Sequence, residues 1–262
     1  MGTVASVIVG SASIYTGTAD AYATTAVGYT TEGVAFEYTA DITDIEVNEE
    51  TVAINRAITK EVIKMTLSFN EATLSNYNLA VIGADDDTPK TIKIGGKAVN
   101  TLSMAIEGTA PGGTSGVRII DVPKMSAVGT VGTSYKKGEK NMIPAEFECL
   151  KPLVGDVCLI QDLWDITIAS GTFAHADTKG GYRVAGEGDA ADVLTDISGG
   201  SHGDEIILRI ADAANAITVT HGAATIVLTG AVDFVMDSRR DWLHLKYITD
   251  KWVEQARFDA SA

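Results

Sequence analysis

The stretch INRAITKEVIKMTLSF, residues 54–69, alternates apolar and polar side chains along its second half. Successive residues of an extended chain point to opposite faces, so this pattern predicts a β-strand with one buried face. The apolar side holds Ile63, Met65, Leu67 and Phe69. The polar side holds Lys64, Thr66 and Ser68. The pattern leaves open whether the polar side meets bulk water or a surface within an assembly.

The segments that flank this strand predict a loop before it and a helix after it. NEETVAINRAITKE (48–61) is polar and too long for a tight hairpin, which is typical of a connection between two strands. EATLSNYNLAVIG (71–83) has apolar residues near helical spacing and stops at a glycine. We expect its apolar face to pack against the sheet that carries the quoted strand. That face consists of Leu74, Leu79 and Ile82.

The composition of the chain changes near Trp164, which predicts a boundary between two domains, 1–165 and 166–262. Residues 166–205 are rich in Gly, Ala and Asp, which suggests a linker followed by loosely patterned structure. Short strands separated by turn residues come next, as in an antiparallel all-β module. These strands carry an apolar set large enough for a separate core: Ile206, Leu208, Ile217, Val219, Ile226, Leu228, Leu243 and Leu245.

The charge balance argues against a conventional nucleic-acid-binding protein. The chain has 262 residues, with 20 basic and 35 acidic side chains and a formal net charge of −15. A surface of that sign repels phosphates on average, although it allows DNA to pass without being held. The two cysteines, Cys149 and Cys158, are expected to be reduced, as in a protein made in a cytoplasm. The N-terminus lacks the basic region of a signal peptide.

We find no sequence motif that predicts an enzyme, a cofactor site or a metal site. The four histidines, at positions 175, 202, 221 and 244, fall in separate predicted turns and strands. Four aromatic residues near the C-terminus leave two interpretations open, a surface that stacks on carbohydrate or part of a core. They are Trp242, Tyr247, Trp252 and Phe258.

The order of features over residues 26–83 resembles the major tail (tail tube) proteins of long-tailed bacteriophages. The features are the VGYTTEGV turn, the acidic stretch DITDIEV, the long polar connection, the alternating strand and EATLSNYNLAVIG. The resemblance covers roughly the first 165 residues. The last sixty or so residues, from GDEIILRI to KWVEQAR, resemble a β-module found at the ends of phage tail-spike and structural proteins.

The resemblance implies a mainly β fold: tail-tube-like packed β-sheets or a barrel, one flanking α-helix, and a second all-β domain that decorates the outside. Subunits would form hexameric rings that stack into a tube in the virion tail, after synthesis in the host bacterial cytoplasm. The implied partners are copies of this chain, tape measure, terminator and distal tail proteins, and DNA that passes through the lumen without specific binding. Host surface glycans are a further implied partner of the decoration domain.

The resemblance also assigns roles to particular residues. A loop with Asn48, Glu49, Glu50, Asn55 and Arg56 would become ordered between stacked rings. The polar side of the quoted strand, Lys64, Thr66 and Ser68, would face the lumen or a neighbouring subunit, although the charge of Lys64 counts against a uniformly negative wall. Trp242 and Trp252 would contact the host surface. The alternative from a different class is a tail-fibre-like adhesin that binds host glycans.

Overall fold

The structure is a computed structural model of the full chain. It describes residues 12–20, 23, 25–28, 30–45, 55–82, 84–88, 91–96, 98–110, 116–132, 141–153, 155–176 and 180–260. These residues are mainly in β-strands, with a single α-helix among them, which confirms the mainly β fold class. The chain divides into two compact units. We call Ser11–Glu107 with Ile120–Leu159 the N-terminal unit, and Gly108–Ile119 with Ile160–Ala262 the C-terminal unit.

Antiparallel pairing dominates the N-terminal unit. β3 pairs with β4, β4 with β9, and β9 with β8, while β1 pairs with β2 and β7, and β5 pairs with β6. The strands are β1 (Ser13–Thr18), β2 (Thr25–Ala26), β3 (Thr30–Ile45), β4 (Asn55–Phe69), β5 (Ala84–Thr88), β6 (Thr91–Ile94), β7 (Thr101–Thr109), β8 (Gly116–Val128) and β9 (Ile143–Cys149). The helix α1 (Leu74–Ala80) follows β4. The first residues of β8, up to Ile119, belong to the C-terminal unit.

The alternation in β4 has the predicted sidedness. Met65, Leu67 and Phe69 are buried and Ile63 is half-buried, whereas Thr66 is exposed. The register with β9 places buried residues opposite them, since Met65 pairs with Phe147. Each fully buried apolar side chain of this size contributes about 1.5–3 kcal/mol relative to an exposed one. Burial of this face therefore fixes the register of β4, because a shift by one residue would expose the whole set.

The prediction of a loop over 48–61 is wrong for its second half. Asn55 to Glu61 belong to β4, where they pair with β3 from Ile45 back to Ala40. The prediction failed because it relied on polar composition. In a two-stranded hairpin, pairing between the strands satisfies the backbone groups, so apolar side chains are not required. Asn48, Glu49 and Glu50 lie outside the described residues.

The helix is shorter than predicted and buries different residues. It spans Leu74–Ala80, and the Thr73 hydroxyl caps its first turn by accepting the N–H of Asn76 at 3.2 Å. Leu74 and Ile82 are exposed, so their predicted burial is wrong, while Leu79 is half-buried against the core. The buried residues of the helix are Asn76 and Ala80. With fewer than three turns, the helix cannot carry the apolar stripe that spans residues 74–82.

The C-terminal unit resembles a β-solenoid, in which strands of successive coils lie side by side. β12 pairs in parallel with β10 and β15, β11 with β14, β13 with β16, and β17 with β20. Its strands are β10 (Leu159–Thr167), β11 (Thr172–Ala174), β12 (Gly181–Ala185), β13 (Asp192–Leu194), β14 (Asp196–Ser198), β15 (Glu205–Ile210), β16 (Ile217–Val219), β17 (Ile226–Val227), β18 (Phe234–Met236), β19 (Trp242–Ile248) and β20 (Lys251–Phe258). Antiparallel pairing joins β15 to β19, β19 to β20 and β16 to β18. The antiparallel module predicted for the last strands is confirmed for these three pairs and wrong where β15, β16 and β17 have parallel partners.

The core of the C-terminal unit contains all eight apolar residues predicted from the last strands, which confirms that set. It also contains Phe173, Tyr182, Val184, Leu194 and Ile197 from the segment predicted as a linker. The prediction of a linker is wrong. Each short strand of a solenoid needs only one or two buried side chains, so the segment contains few large apolar residues although it is part of the core. Close packing also requires a glycine at Gly200, where an added Cβ would lie 2.5 Å from the Tyr247 ring.

Candidate assembly site

The hairpin of β3 and β4 extends well beyond the sheet that supports its base. β4 pairs with β9 only from Lys64 to Phe69. Over 55–63, the only strand partner of β4 among the described residues is β3. β3 in turn has β4 as its only strand partner within the described part of the chain. We call residues 38–45 and 55–63 the arm.

The arm carries an apolar face that continues the buried face of the sheet. Residues 36, 38 and 42 of β3 share one side, and Phe36 packs against the core of the N-terminal unit. Further out, Tyr38, Ile42 and Ile58 are 52%, 59% and 58% exposed. Ile42 and Ile58 lie directly opposite each other. A β-bulge accommodates the extra residue of β4, so β3 keeps its alternation along the arm.

Polar contacts within the arm hold its two strands together. The Tyr38 hydroxyl donates to Glu61 at 2.7 Å, and this bond raises the pKa of Tyr38. Arg56 forms an ion pair with Asp44 at 2.8 Å. Asn55 and Arg56, predicted to lie in a ring-stacking loop, are therefore strand residues near the described end of the arm. By the register, these three charged residues, Glu61, Asp44 and Arg56, lie on the same face of the arm as its exposed apolar side chains.

The polar face at the base of the hairpin carries more acids than bases. The Lys64 ammonium bonds the Glu146 carboxylate at 2.8 Å, and Lys64 lies between Glu37 and Glu148 across the three strands. The hydrogen bond with Glu146, with added attraction from Glu148 and Glu37, raises the pKa of Lys64. One cation thus faces three carboxylates. This face has a net negative charge despite Lys64.

The other polar-face residues of β4 extend the same surface. Thr66 is exposed and lies between Ala35 and Glu146, and Ser68 lies opposite Pro144 of β9. The structure therefore brings Lys64, Thr66 and Ser68 onto one surface, as predicted from the alternation.

The two tryptophans predicted to contact a host surface point to opposite sides of the sheet formed by β19 and β20. Trp252 is fully buried, donates its indole N–H to the Ile197 carbonyl at 2.9 Å, and packs edge-on against Tyr247 at 5.1 Å. A host contact through Trp252 is incompatible with this burial, so that prediction is wrong. Trp242 is half-buried and points away from the core that contains Leu243.

No protein-family model matches this sequence, and no curated protein matches it either. No group of three or more His, Cys, Asp and Glu residues that could hold a metal ion occurs in the described part of the chain. Within the same residues, no helix is long and apolar enough to cross a membrane.

A buried polar group in the C-terminal unit escaped the sequence analysis. The Tyr182 hydroxyl accepts the Ala176 N–H at 2.9 Å and lies 2.9 Å from His175 Nδ1. We assign its proton to a bond with Nδ1, which leaves the imidazole N–H on Nε2, 3.5 Å from Asp204. Both rings are buried, so the group fixes the chain around them. No pattern along the sequence predicts this group, because only the coiling of the chain brings Asp204 to His175.

Proposed function

We propose that this protein is a structural subunit that assembles with copies of itself through the arm and builds a tube of the phage tail-tube type. The observation that carries the proposal is the apolar face of the arm. Tyr38, Ile42 and Ile58 continue a core face past the point where the described chain covers it. An apolar surface of this kind marks a contact with another molecule. A second copy is the occupant that we propose.

The strand edges of the hairpin support self-assembly as well. An unpaired strand edge presents rows of N–H and C=O groups that pair readily with another chain. β3 offers such an edge along Thr30–Ile45, and no strand in the described part of the chain pairs with it. Closure of a ring of subunits removes every such edge, as in a barrel. In the proposed assembly, the hairpins of neighbouring subunits join into one continuous barrel.

The negative polar face at the base of the hairpin fits a lumen that conducts DNA. Glu37, Glu146 and Glu148 outnumber Lys64 there. Carboxylates repel the phosphates of DNA, so the polymer slides without binding. In this proposal the polar face of β4 lines the tube, and the C-terminal unit lies outside it because six copies within the lumen would block passage. Tape measure, terminator and distal tail proteins are the partners proposed at the two ends of the tail.

Electron microscopy and sedimentation of purified protein test the proposal. We expect the wild-type chain to form rings or open tubes with increasing concentration. Ile58→Asp places a charge on the apolar face of the arm, at a side chain that is 58% exposed and outside the core. We expect this variant to stay monomeric with an unchanged melting temperature, because a charge opposes burial in an interface.

Val232→Asp is the matched control. Val232 is 62% exposed and belongs to the C-terminal unit, whereas the arm belongs to the N-terminal unit. We expect this variant to assemble like the wild type. Rings or tubes formed equally well by Ile58→Asp would refute the role of the arm. A wild-type chain that remains monomeric at high concentration would refute self-assembly itself.

A further inference from the structure

A row of five side chains crosses the outer face of the C-terminal unit, one from each of five adjacent strands. The registers place Asp165 opposite Arg183, Arg183 opposite Arg209, Arg209 opposite Trp242, and Trp242 opposite Phe258. Arg209 lies between Leu208 and Ile210, which are both in the core, so its side chain points outward. Directly opposed side chains in a sheet lie close enough to share a ligand.

Arg209 is the unusual member of the row. It is only 5% exposed, yet its Nε and Nη1 atoms have no hydrogen-bond partner. A buried guanidinium without a partner is strongly unfavourable, and such groups are rare in native proteins. The registers place Arg183 and Trp242 on either side of it. An anion would satisfy these two atoms.

The other charges of the row do not supply that anion. Asp165 is committed to Arg183 through two bonds, of 2.5 and 3.0 Å. At the far end of the row, the Arg240 guanidinium lies over the Phe258 ring, 5.2 Å from its centroid. Among the described residues, neither Arg209 nor Arg240 has an ion pair with a carboxylate. Two uncompensated cations therefore lie along one row of a chain whose net charge is −15.

We propose that this row binds a carboxylate-bearing saccharide, with the carboxylate at Arg209 and the sugar ring against Trp242. Guanidinium groups bind carboxylates through strong, charge-assisted hydrogen bonds. The half-buried indole beside Arg209 offers an apolar face together with an N–H, which suits a ring that has both C–H and hydroxyl groups.

NMR of the full-length chain with ¹⁵N-labelled indoles tests this site. The chain has three tryptophans, and Trp242→Phe identifies the Trp242 signal. Sodium glucuronate, glucose and sodium acetate are titrated in parallel at equal ionic strength. We expect glucuronate to shift the Trp242 signal saturably, glucose to leave it unchanged, and acetate to bind at least about tenfold more weakly than glucuronate.

Arg209→Met separates a binding role from a structural one. We expect it to weaken glucuronate binding about tenfold to a hundredfold, the effect of losing one charge-assisted contact. The melting temperature should stay the same or rise, because an unpaired buried charge is replaced by an apolar side chain. Arg118→Met is the control: Arg118 pairs with Asp162 in the same unit, and its loss should leave binding unchanged.

Three results would overturn the proposal. They are the absence of a saturable shift with glucuronate, equal binding of glucuronate and acetate, and a lowered melting temperature of Arg209→Met with unchanged affinity. The site does not include the arm. A negative result here therefore leaves the assembly proposal standing, and the failure of assembly leaves this site to be judged on its own.

Discussion

Replacement of Trp252 by Phe tests whether this side chain is a core residue or a recognition residue. Trp252 is fully buried among Tyr247, His175 and Ile226. Its indole N–H donates to the Ile197 carbonyl at 2.9 Å. Phe keeps a six-membered aromatic ring but removes the N–H donor and the five-membered ring. The variant therefore alters one hydrogen bond and a small part of the packed volume.

The expected loss of stability has two parts. Loss of the donor costs about 1 kcal/mol, the net contribution of a typical hydrogen bond. The smaller ring leaves a cavity that costs about 1–2 kcal/mol more. We therefore expect a decrease of about 2–3 kcal/mol in the free energy of unfolding of the C-terminal unit. Trp242→Phe is the matched control, and its half-buried position predicts a loss below about 1 kcal/mol.

Urea unfolding followed by tryptophan fluorescence measures this loss in the right unit, because Trp164, Trp242 and Trp252 all lie in the C-terminal unit. With a slope near 2 kcal/mol/M, the midpoint of Trp252→Phe should fall by about 1–1.5 M at an unchanged slope. Equal midpoints for the two variants would refute the reasoning, as would a Trp252→Phe midpoint equal to that of the wild type.

Three further predictions concern the N-terminal unit. Leu79→Ala should cost about 2 kcal/mol in urea unfolding, whereas exposed Leu74→Ala should cost less than about 0.5 kcal/mol; equal losses would contradict the packing of α1. A backbone N–H and a nearby ammonium lower the pKa of Asp20, so its stabilising contribution is present above about pH 4 and is lost on acidification. The melting temperature of Asp20→Asn should accordingly fall less between about pH 5 and pH 2.5 than that of the wild type. Burial raises the pKa of Cys149 to about 12 and that of Cys158 to about 11. Iodoacetamide at about pH 8 should therefore modify both thiols far more slowly in the folded protein than in the urea-unfolded protein, and mass spectrometry measures the two rates.

The sequence alone determined features that depend on neighbours along the chain. Alternation in β4 identified its buried face, with Met65, Leu67 and Phe69 inside. The apolar set of the last strands, from Ile206 to Leu245, forms the core of the C-terminal unit as predicted. These predictions succeeded because side-chain direction along an extended strand follows from the backbone of that strand alone.

Only the tertiary structure decided the features that depend on which strands pair with each other. Parallel coils could not be read from the sequence, because the same short apolar segments suit parallel and antiparallel neighbours. The sequence predicts a loop over residues 55–61 because that stretch is polar, and only its pairing with β3 makes it a strand.

The two ends of β20 show that strand pairing also decides where single residues lie. Strict alternation puts Trp252 and Phe258 on one face, yet Trp252 is in the core while Phe258 lies opposite outward-facing Trp242. A β-bulge between them, where Leu245 pairs with Glu254 and His244 pairs with Ala256, reverses the side on which later residues fall. Bulges arise from the fit between two strands, and no pattern within one strand encodes them. The row that contains Arg209 and Trp242 also depends on strand pairing, because five adjacent strands place its members side by side.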